Sequence, residues 1–270
     1  MKAWAICNQK GGVGKTTTTV TLGGLLAAEG RRVLLVDLDP HGSLTSHFGH
    51  NPDAIEGSVY TLFERAAGGV HVPLAAMLAR TRFNGLYLLP ASTALVSLDR
   101  QFGARDGMGL VLAHAFGQWG QQFDHILMDC SPTLGILMVN ALAASDRVIV
   151  PVQTDFLALK GLERLMHTLT MIERSRRRPF AITVVPTMYD ARTRAAEEGL
   201  QNLHARYPAQ LWHGVIPIDT QFRNASRAGT PISHYAPRSA RGLQAYAALL
   251  ESLRMADGEL PEYPAAARRP

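Results

Sequence analysis

Cysteine is scarce in this chain: 270 residues contain two, Cys7 and Cys130. Neither has a partner at a spacing that would frame a zinc site or a disulfide scaffold, which excludes the small disulfide-stapled secreted class. Long apolar runs are missing as well. No stretch approaches the roughly 18 residues of a membrane span, and the first apolar run, residues 3–7, leads directly into a glycine-rich loop, so no leader peptide is expected. A soluble, cytoplasmic protein with no membrane insertion is therefore the expectation.

The 47% apolar composition is enough to fill a substantial core, and the length suits one large α/β domain, expected over residues 1–256. From Asp257 onward Pro261, Pro264 and Pro270 alternate with Ala and Arg, and a disordered tail is expected there. Prolines at that spacing would also break a basic amphipathic membrane helix. The net charge of +5 and pI near 9.5 are compatible with an anionic partner, nucleic acid above all.

What the chain does have is residues 8–17, NQKGGVGKTT, between a short apolar run and a segment with helical spacing. Strand, glycine-rich loop and helix start, in that order, are the parts of a phosphate-binding loop. Gly11, Gly12 and Gly14 let backbone N–H groups curl around an anion, with Val13 between them, and the helix starting near Lys15 and Thr16 points its positive end at the same place. Lys15 would reach the terminal phosphates, Thr16 would ligate Mg²⁺, and Thr17 continues the cradle. A flexible glycine turn does not explain two lysines and two threonines at this spacing.

Two further apolar runs end in carboxylates. Residues 32–39, RVLLVDLD, end in Asp37 and Asp39, and residues 123–129, FDHILMD, end in Asp129. Continuous apolar runs fit strands covered on both faces, as in a parallel sheet, with ligand groups at the carboxyl ends. Asp129 is then a Walker B carboxylate placed beside Thr16.

The loop departs from the general Walker pattern. Gln9 stands where that pattern has its first glycine, and a second lysine, Lys10, stands at the loop entrance. KGGVGKTT resembles the deviant Walker loop of the ParA/MinD family of nucleotide-switch ATPases. The resemblance covers nearly the whole chain and weakens over residues 51–105. It implies a doubly wound, mostly parallel β-sheet flanked by helices, ATP and Mg²⁺ as cofactors, and a homodimer formed around two ATP molecules. It implies that Lys10 crosses to the partner's phosphates, and no partner within its own chain is expected for it. The family's DxDPQ motif corresponds to residues 37–41, DLDPH; carried over, Asp39 positions the attacking water and Asp37 supports the Mg²⁺ site. His41, in place of the Gln, is given no catalytic role, and Cys130 is taken as a buried spectator.

Strands are also expected over residues 85–90, 147–152, 180–186 and 211–216, and helices over 58–65, 73–79, 91–101, 108–119, 157–172, 192–207 and 238–255. Arg174, Arg176, Arg177 and Arg178 read as a solvated helix exit. The family places the base at positions that correspond to Thr187 and Met188, then Pro217 and Asp219. In residues 216–232, IPIDTQFRNASRAGTPI, Gln221 stands where the partitioning members carry a DNA-contacting arginine. Arg223, Arg227, Arg238 and Arg241 could restore a phosphate patch, so nonspecific DNA is expected to bind weakly. The implied activity is slow ATP hydrolysis, stimulated by a protein activator or cargo adaptor. The cargo implied is polar or chemotaxis machinery, with polar or nucleoid-associated placement. Chromosome or plasmid partitioning is the alternative. A reductase with a cluster-bridged dimer would need two surface cysteines per chain, and a pseudoenzyme would not keep Lys15, Asp39 and Asp129.

Overall fold

A computed structural model describes residues 1–70, 73–176 and 179–259. The apolar runs form β1 (Lys2–Ile6), β2 (Val33–Leu38), β3 (Leu86–Leu89), β4 (His125–Cys130), β5 (Arg147–Gln153) and β6 (Ala181–Thr187), and all their pairings are parallel. Their order across the sheet is β3-β2-β4-β1-β5-β6. Alternate side chains serve opposite faces, as the strand period of two requires. Ala3 and Ala5 of β1, with Cys7 just beyond it, enter one core, while Trp4 and Ile6 enter the other.

The first core is covered by α3 (Val59–Ala67), α5 (Val111–Trp119), α6 (Ile136–Ala144) and α7 (Phe156–Arg176), which contribute among others Phe63, Phe116, Leu137 and Leu165. The second is covered by α1 (Lys15–Ala28) and α11 (Arg241–Ala256), through Leu22, Leu26, Tyr246 and Leu250. Helices on both faces of a parallel sheet make this a doubly wound α/β fold. From β1 the chain moves outward to β2 and β3, and from β4 it crosses β1 to reach β5 and β6. The carboxyl end of β1 is therefore the switch point at which such sheets bind ligands.

Short α2 (Ser43–His47), α4 (Leu98–Phe102) and α10 (Ile232–Tyr235), together with α8 (Arg194–Arg206) and α9 (Thr220–Arg227), complete the helices. A β-carbon at Gly24 of α1 would come within 2.5 Å of Pro231 Cβ, so this glycine lets the α9–α10 segment press onto α1.

Several expectations need correction. Residues 211–216 form no strand, because Trp212 through Gly214 turn away after a single bridge from Leu211 to Val184, and only Ile216 N returns to donate to Pro186 O. Residues 73–79 shrink to one 3₁₀ turn, Leu74–Ala76. The helices expected over 91–101 and 108–119 each begin with a 3₁₀ turn before α4 and α5. The segment expected to loosen at Asp257 is tied to the sheet. Asp257 forms an ion pair with the buried Arg147 and accepts from Trp4 Nε1 at 3.3 Å, and Glu259 accepts from Arg254. The remainder of the expected tail, 260–270, lies outside the described residues, as do Arg177 and Arg178. Arg176 does not end in solvent: it donates to Ser145 O and stacks over Phe180.

Candidate functional site

The loop after β1 and the N-terminus of α1 line a cavity of about 500 Å³ at the switch point. Gly11, Gly12, Gly14, Lys15, Thr16 and Thr17 all face it. Gly12 and Gly14 have φ of +74° and +94°, a left-handed conformation that side chains resist, and this curls the loop. Val13 is buried beneath, and its carbonyl accepts from Thr187 Oγ1 at 2.9 Å, which ties the loop to the end of β6. Lys15 is buried and donates to Lys10 O at 3.2 Å, so its ammonium is already folded back over the loop.

Lys10 has an intramolecular partner, against expectation. Its Nζ lies 2.7 Å from Asp155 Oδ2 and 3.4 Å from Gln153 Oε1, at the carboxyl end of β5. The two residues are separated by 145 positions, which no local pattern reveals. Asp155 also accepts from Ala158 N in the first turn of α7.

Thr16 Oγ1 donates to Asp129 Oδ2 at 2.6 Å. Asp129 is 1% exposed, and its Oδ1 is buried without a hydrogen-bond partner. Burial, reinforced by the nearby Asp37 carboxylate, pushes Asp129 up to about 8. A buried carboxylate with an unpaired oxygen beside a threonine hydroxyl is a donor set that fits Mg²⁺ through a water. The cation would relieve the burial cost that the bare carboxylate bears.

Asp37 differs from its expected role. Burial raises it to about 6, and both of its oxygens are used inside the protein. Oδ2 accepts from Thr45 N and Oγ1 at 2.8 and 2.6 Å, and Oδ1 accepts from Asp39 N at 3.2 Å. Thr45 Oγ1 in turn accepts from Ala91 N. Asp37 shapes the loop that carries Asp39 and does not reach the cavity.

Asp39 does reach it. Its Oδ1 accepts from His41 N at 3.0 Å and lies 2.9 Å from His41 Nδ1. His41, whose side chain is 84% exposed, also lines the cavity and orients this carboxylate. The i, i+2 spacing to Asp39 was the available signal.

Of the four expected base positions, Met188 lines the cavity, and Thr187, Pro217 and Asp219 do not. Met188 has φ +52°, a strained conformation for a side-chain-bearing residue. It is held by the Thr187 bond on one side and by Tyr189 N donating to Ile216 O on the other. Asp219 caps α9 by accepting from Gln221 N and also accepts from Gly242 N, so its carboxylate is occupied by backbone donors. Phe222, Ala225, Ser226, Thr230 and His47 also line the cavity, and none was expected there.

Arg223 and Arg227 lie one helical turn apart on α9, Arg238 lies between α10 and α11, and Arg241 is the first residue of α11. All four are exposed, and none forms an ion pair among the described residues. Cys7 and Cys130 are both buried, and burial pushes the Cys7 thiol up to about 12. Neither sulfur is placed to bridge a cluster between subunits.

A parallel sheet with a lysine-bearing glycine loop at its switch point, and carboxylates at the ends of β2 and β4, defines a P-loop nucleotide-binding protein. The comparisons with known proteins narrow this class. The AAA domain family matches residues 1–182. The sporulation initiation inhibitor protein Soj of Bacillus subtilis is 37% identical over 246 residues, 91% of this chain and 95% of Soj. The chromosome partitioning protein ParA of Myxococcus xanthus is 32% identical over 253 residues, 93% and 87% of the two chains. Among solved structures, the cobyrinic acid a,c-diamide synthase of Mycobacterium smegmatis with bound ATP analogue and magnesium is 32% identical. It superposes with a TM-score of 0.80 over 98% of this chain and all of that one. The chain belongs to the ParA/MinD family of P-loop ATPases.

Proposed function

We propose that the protein is an ATP-dependent dimerising switch that positions or segregates a cellular cargo and resets by hydrolysing ATP. The observation that carries this reading is the cavity itself, where the loop glycines, Lys15, Thr16 and Asp39 converge, while Lys10 at the loop entrance is held by Asp155. The relatives named for partitioning support the biological setting, and the neighbour solved with an ATP analogue and magnesium supports the cofactors.

In this reading the loop N–H groups and Lys15 bind the β- and γ-phosphates, and Met188 packs near the base. Thr16 and Asp129 hold the Mg²⁺, which neutralises developing charge on the phosphates. Asp39, oriented by His41 and by the Asp37-braced loop, positions the attacking water. Lys10 leaves Asp155 to reach the partner's phosphates, as an arginine finger in trans would. In this reading hydrolysis is slow and is stimulated by a protein partner.

Phosphate release tests the assignment of Asp39. With ATP and Mg²⁺, Asp39→Ala is expected to bind nucleotide and dimerise but to lose turnover; turnover equal to that of the unmodified protein would remove Asp39 from the role. DNA is the second element. Four unpaired arginines per subunit favour ATP-dependent but weak duplex binding, since each phosphate contact adds to the salt dependence. In gel shifts at about 50 and 150 mM salt, binding should fade at the higher value. Tight binding there, abolished by Arg223→Glu with Arg227→Glu, would restore nucleoid-based partitioning as the leading function.

A further inference from the structure

Asp39 sits on a braced turn. Its N–H donates to Asp37 Oδ1 at 3.2 Å, its carbonyl accepts from Gly42 N at 2.8 Å, and Thr45 just beyond is anchored on Asp37. Gly42 has φ +60°, and a β-carbon there would collide with Pro52, so the turn has little room to rearrange. The two oxygens of the carboxylate are used unequally. Oδ1 faces two nitrogens of one residue, His41 N at 3.0 Å and His41 Nδ1 at 2.9 Å, while no hydrogen bond reaches Oδ2 among the described residues.

The ring contact fixes a proton. An ionised carboxylate only accepts, so Nδ1 carries hydrogen, and the neutral imidazole is held as its Nδ1–H tautomer with a bare Nε2. Nε2 has no hydrogen-bond partner among the described residues, and the side chain is 84% exposed where it lines the nucleotide cavity. Nothing blocks a second proton there. Imidazole is the side chain that ordinarily gains one between about pH 5 and 8.

Four other charged or titratable groups border the turn, each from a different element. Lys15 of α1 and His47 of α2 line the same cavity, Asp37 of β2 lies under the turn, and Asp129 of β4 lies beside Thr16. Lys15 is folded onto Lys10 O, and burial pushes His47 down to about 4, Asp37 up to about 6 and Asp129 up to about 8. α9 brings only uncharged residues to the cavity. None of these groups donates to the Asp39 carboxylate, so His41 alone among the described side chains holds it.

We propose that His41 is a proton-sensitive positioning residue. As the neutral Nδ1–H imidazole it pins Asp39 Oδ1 and leaves Oδ2 to hold the attacking water; as imidazolium it neutralises the carboxylate's charge and slows hydrolysis. This rests on the switch-ATPase reading and deepens it, because hydrolysis that slows as pH falls lengthens the life of the ATP-bound dimer. The family motif has glutamine at this position, a side chain that can donate to a carboxylate but takes up no proton in this range.

The test is steady-state phosphate release by the full chain with ATP and Mg²⁺ from about pH 5.5 to 8, for the unmodified protein, His41→Gln and His41→Ala. Affinity for a non-hydrolysable ATP analogue is measured alongside. In the unmodified protein kcat is expected to fall about tenfold from the upper to the lower pH along a single-proton limb. His41→Gln keeps a donor, and it is expected to retain kcat at the upper pH within about threefold while losing the limb. His41→Ala keeps only the backbone donor. Its kcat at the upper pH is expected to be about 2- to 10-fold lower, the loss of one hydrogen bond, with KM and analogue affinity unchanged. The same limb in His41→Gln, a flat or opposite profile in the unmodified protein, or a raised KM with full kcat in His41→Ala refutes the proposal. Nitrogen NMR of isotope-labelled histidine rings in the nucleotide-free protein tests the contact without hydrolysis. The signal that His41→Gln removes is expected to report Nδ1–H at the upper pH, and an Nε2–H tautomer refutes the proposal as well. Absence of turnover in the unmodified protein would instead refute the ATPase reading, and the ring signal separates the two failures.

Discussion

Lys10→Ala removes one ammonium from two competing positions, and the structure sets the size of each. In the monomer Lys10 pairs with Asp155 at 2.7 Å, with side chains 31% and 35% exposed. A pair that open to solvent is worth about 0.2–1 kcal/mol. In the proposed dimer each Lys10 makes a charge-assisted contact to phosphate across a water-poor interface, worth about 1.5–3 kcal/mol. Twofold symmetry doubles both quantities, so the dimer gains roughly 3–6 kcal/mol and gives up about 0.4–2 kcal/mol. The balance, near 3 kcal/mol, predicts that Lys10→Ala weakens ATP-dependent dimerisation by about two orders of magnitude without loss of nucleotide binding.

Asp155→Asn acts in the opposite sense. It keeps an oxygen to accept from Ala158 N but removes the charge that holds Lys10 at home, and it should tighten the dimer by about 2- to 30-fold. Sedimentation velocity over a dilution series, with a non-hydrolysable ATP analogue and Mg²⁺, reads both. An unchanged Lys10→Ala dimer refutes the trans contact; a weaker Asp155→Asn dimer refutes the competition between the two positions.

Asp129→Asn tests the cation site. Burial raises the Asp129 pKa from 3.8 to about 8, so the stability linked to this group is fully present below about 3.8 and is lost as pH rises through about 8. The asparagine does not titrate, and the nucleotide-free variant should therefore be the more stable protein at pH 8 in urea melts, with the difference vanishing near pH 4. It should also lose the added stability that Mg²⁺ confers in the presence of ATP; a variant less stable at pH 8 contradicts the burial argument. Lys15→Ala should lose nucleotide affinity itself, read as a binding isotherm that Lys10→Ala leaves intact.

The parts of this site that sequence revealed are those encoded within a few residues. The KGGVGKTT stretch declares its own conformation because glycine and lysine spacing sets what the backbone can wrap. The strand-end carboxylates were legible because a parallel strand buried on both faces reads as an unbroken apolar run that stops at its ligand group. What escaped depends on contacts distant in sequence. Lys10 and Asp155 meet across adjacent strands, and Arg82 reaches the α9–α10 turn 146 and more residues away. Asp37 and Asp219 were misplaced for a common reason: a carboxylate near a site was assigned to a ligand, while nearby backbone N–H groups had already claimed it. Residues 211–216 carry strand-like composition, yet the Trp212–Gly214 turn leaves only isolated bridges to β6 and the loop that follows it.

The central claim is a nucleotide-controlled change between one and two subunits. Light scattering of the unmodified protein, followed over time after adding ATP and Mg²⁺, reads it directly. The account predicts the mass of a 29.4 kDa monomer with ADP. With ATP it predicts a doubling, with return to monomer in step with phosphate release and no return in Asp39→Ala. A mass that is the same with ADP and with ATP would contradict it.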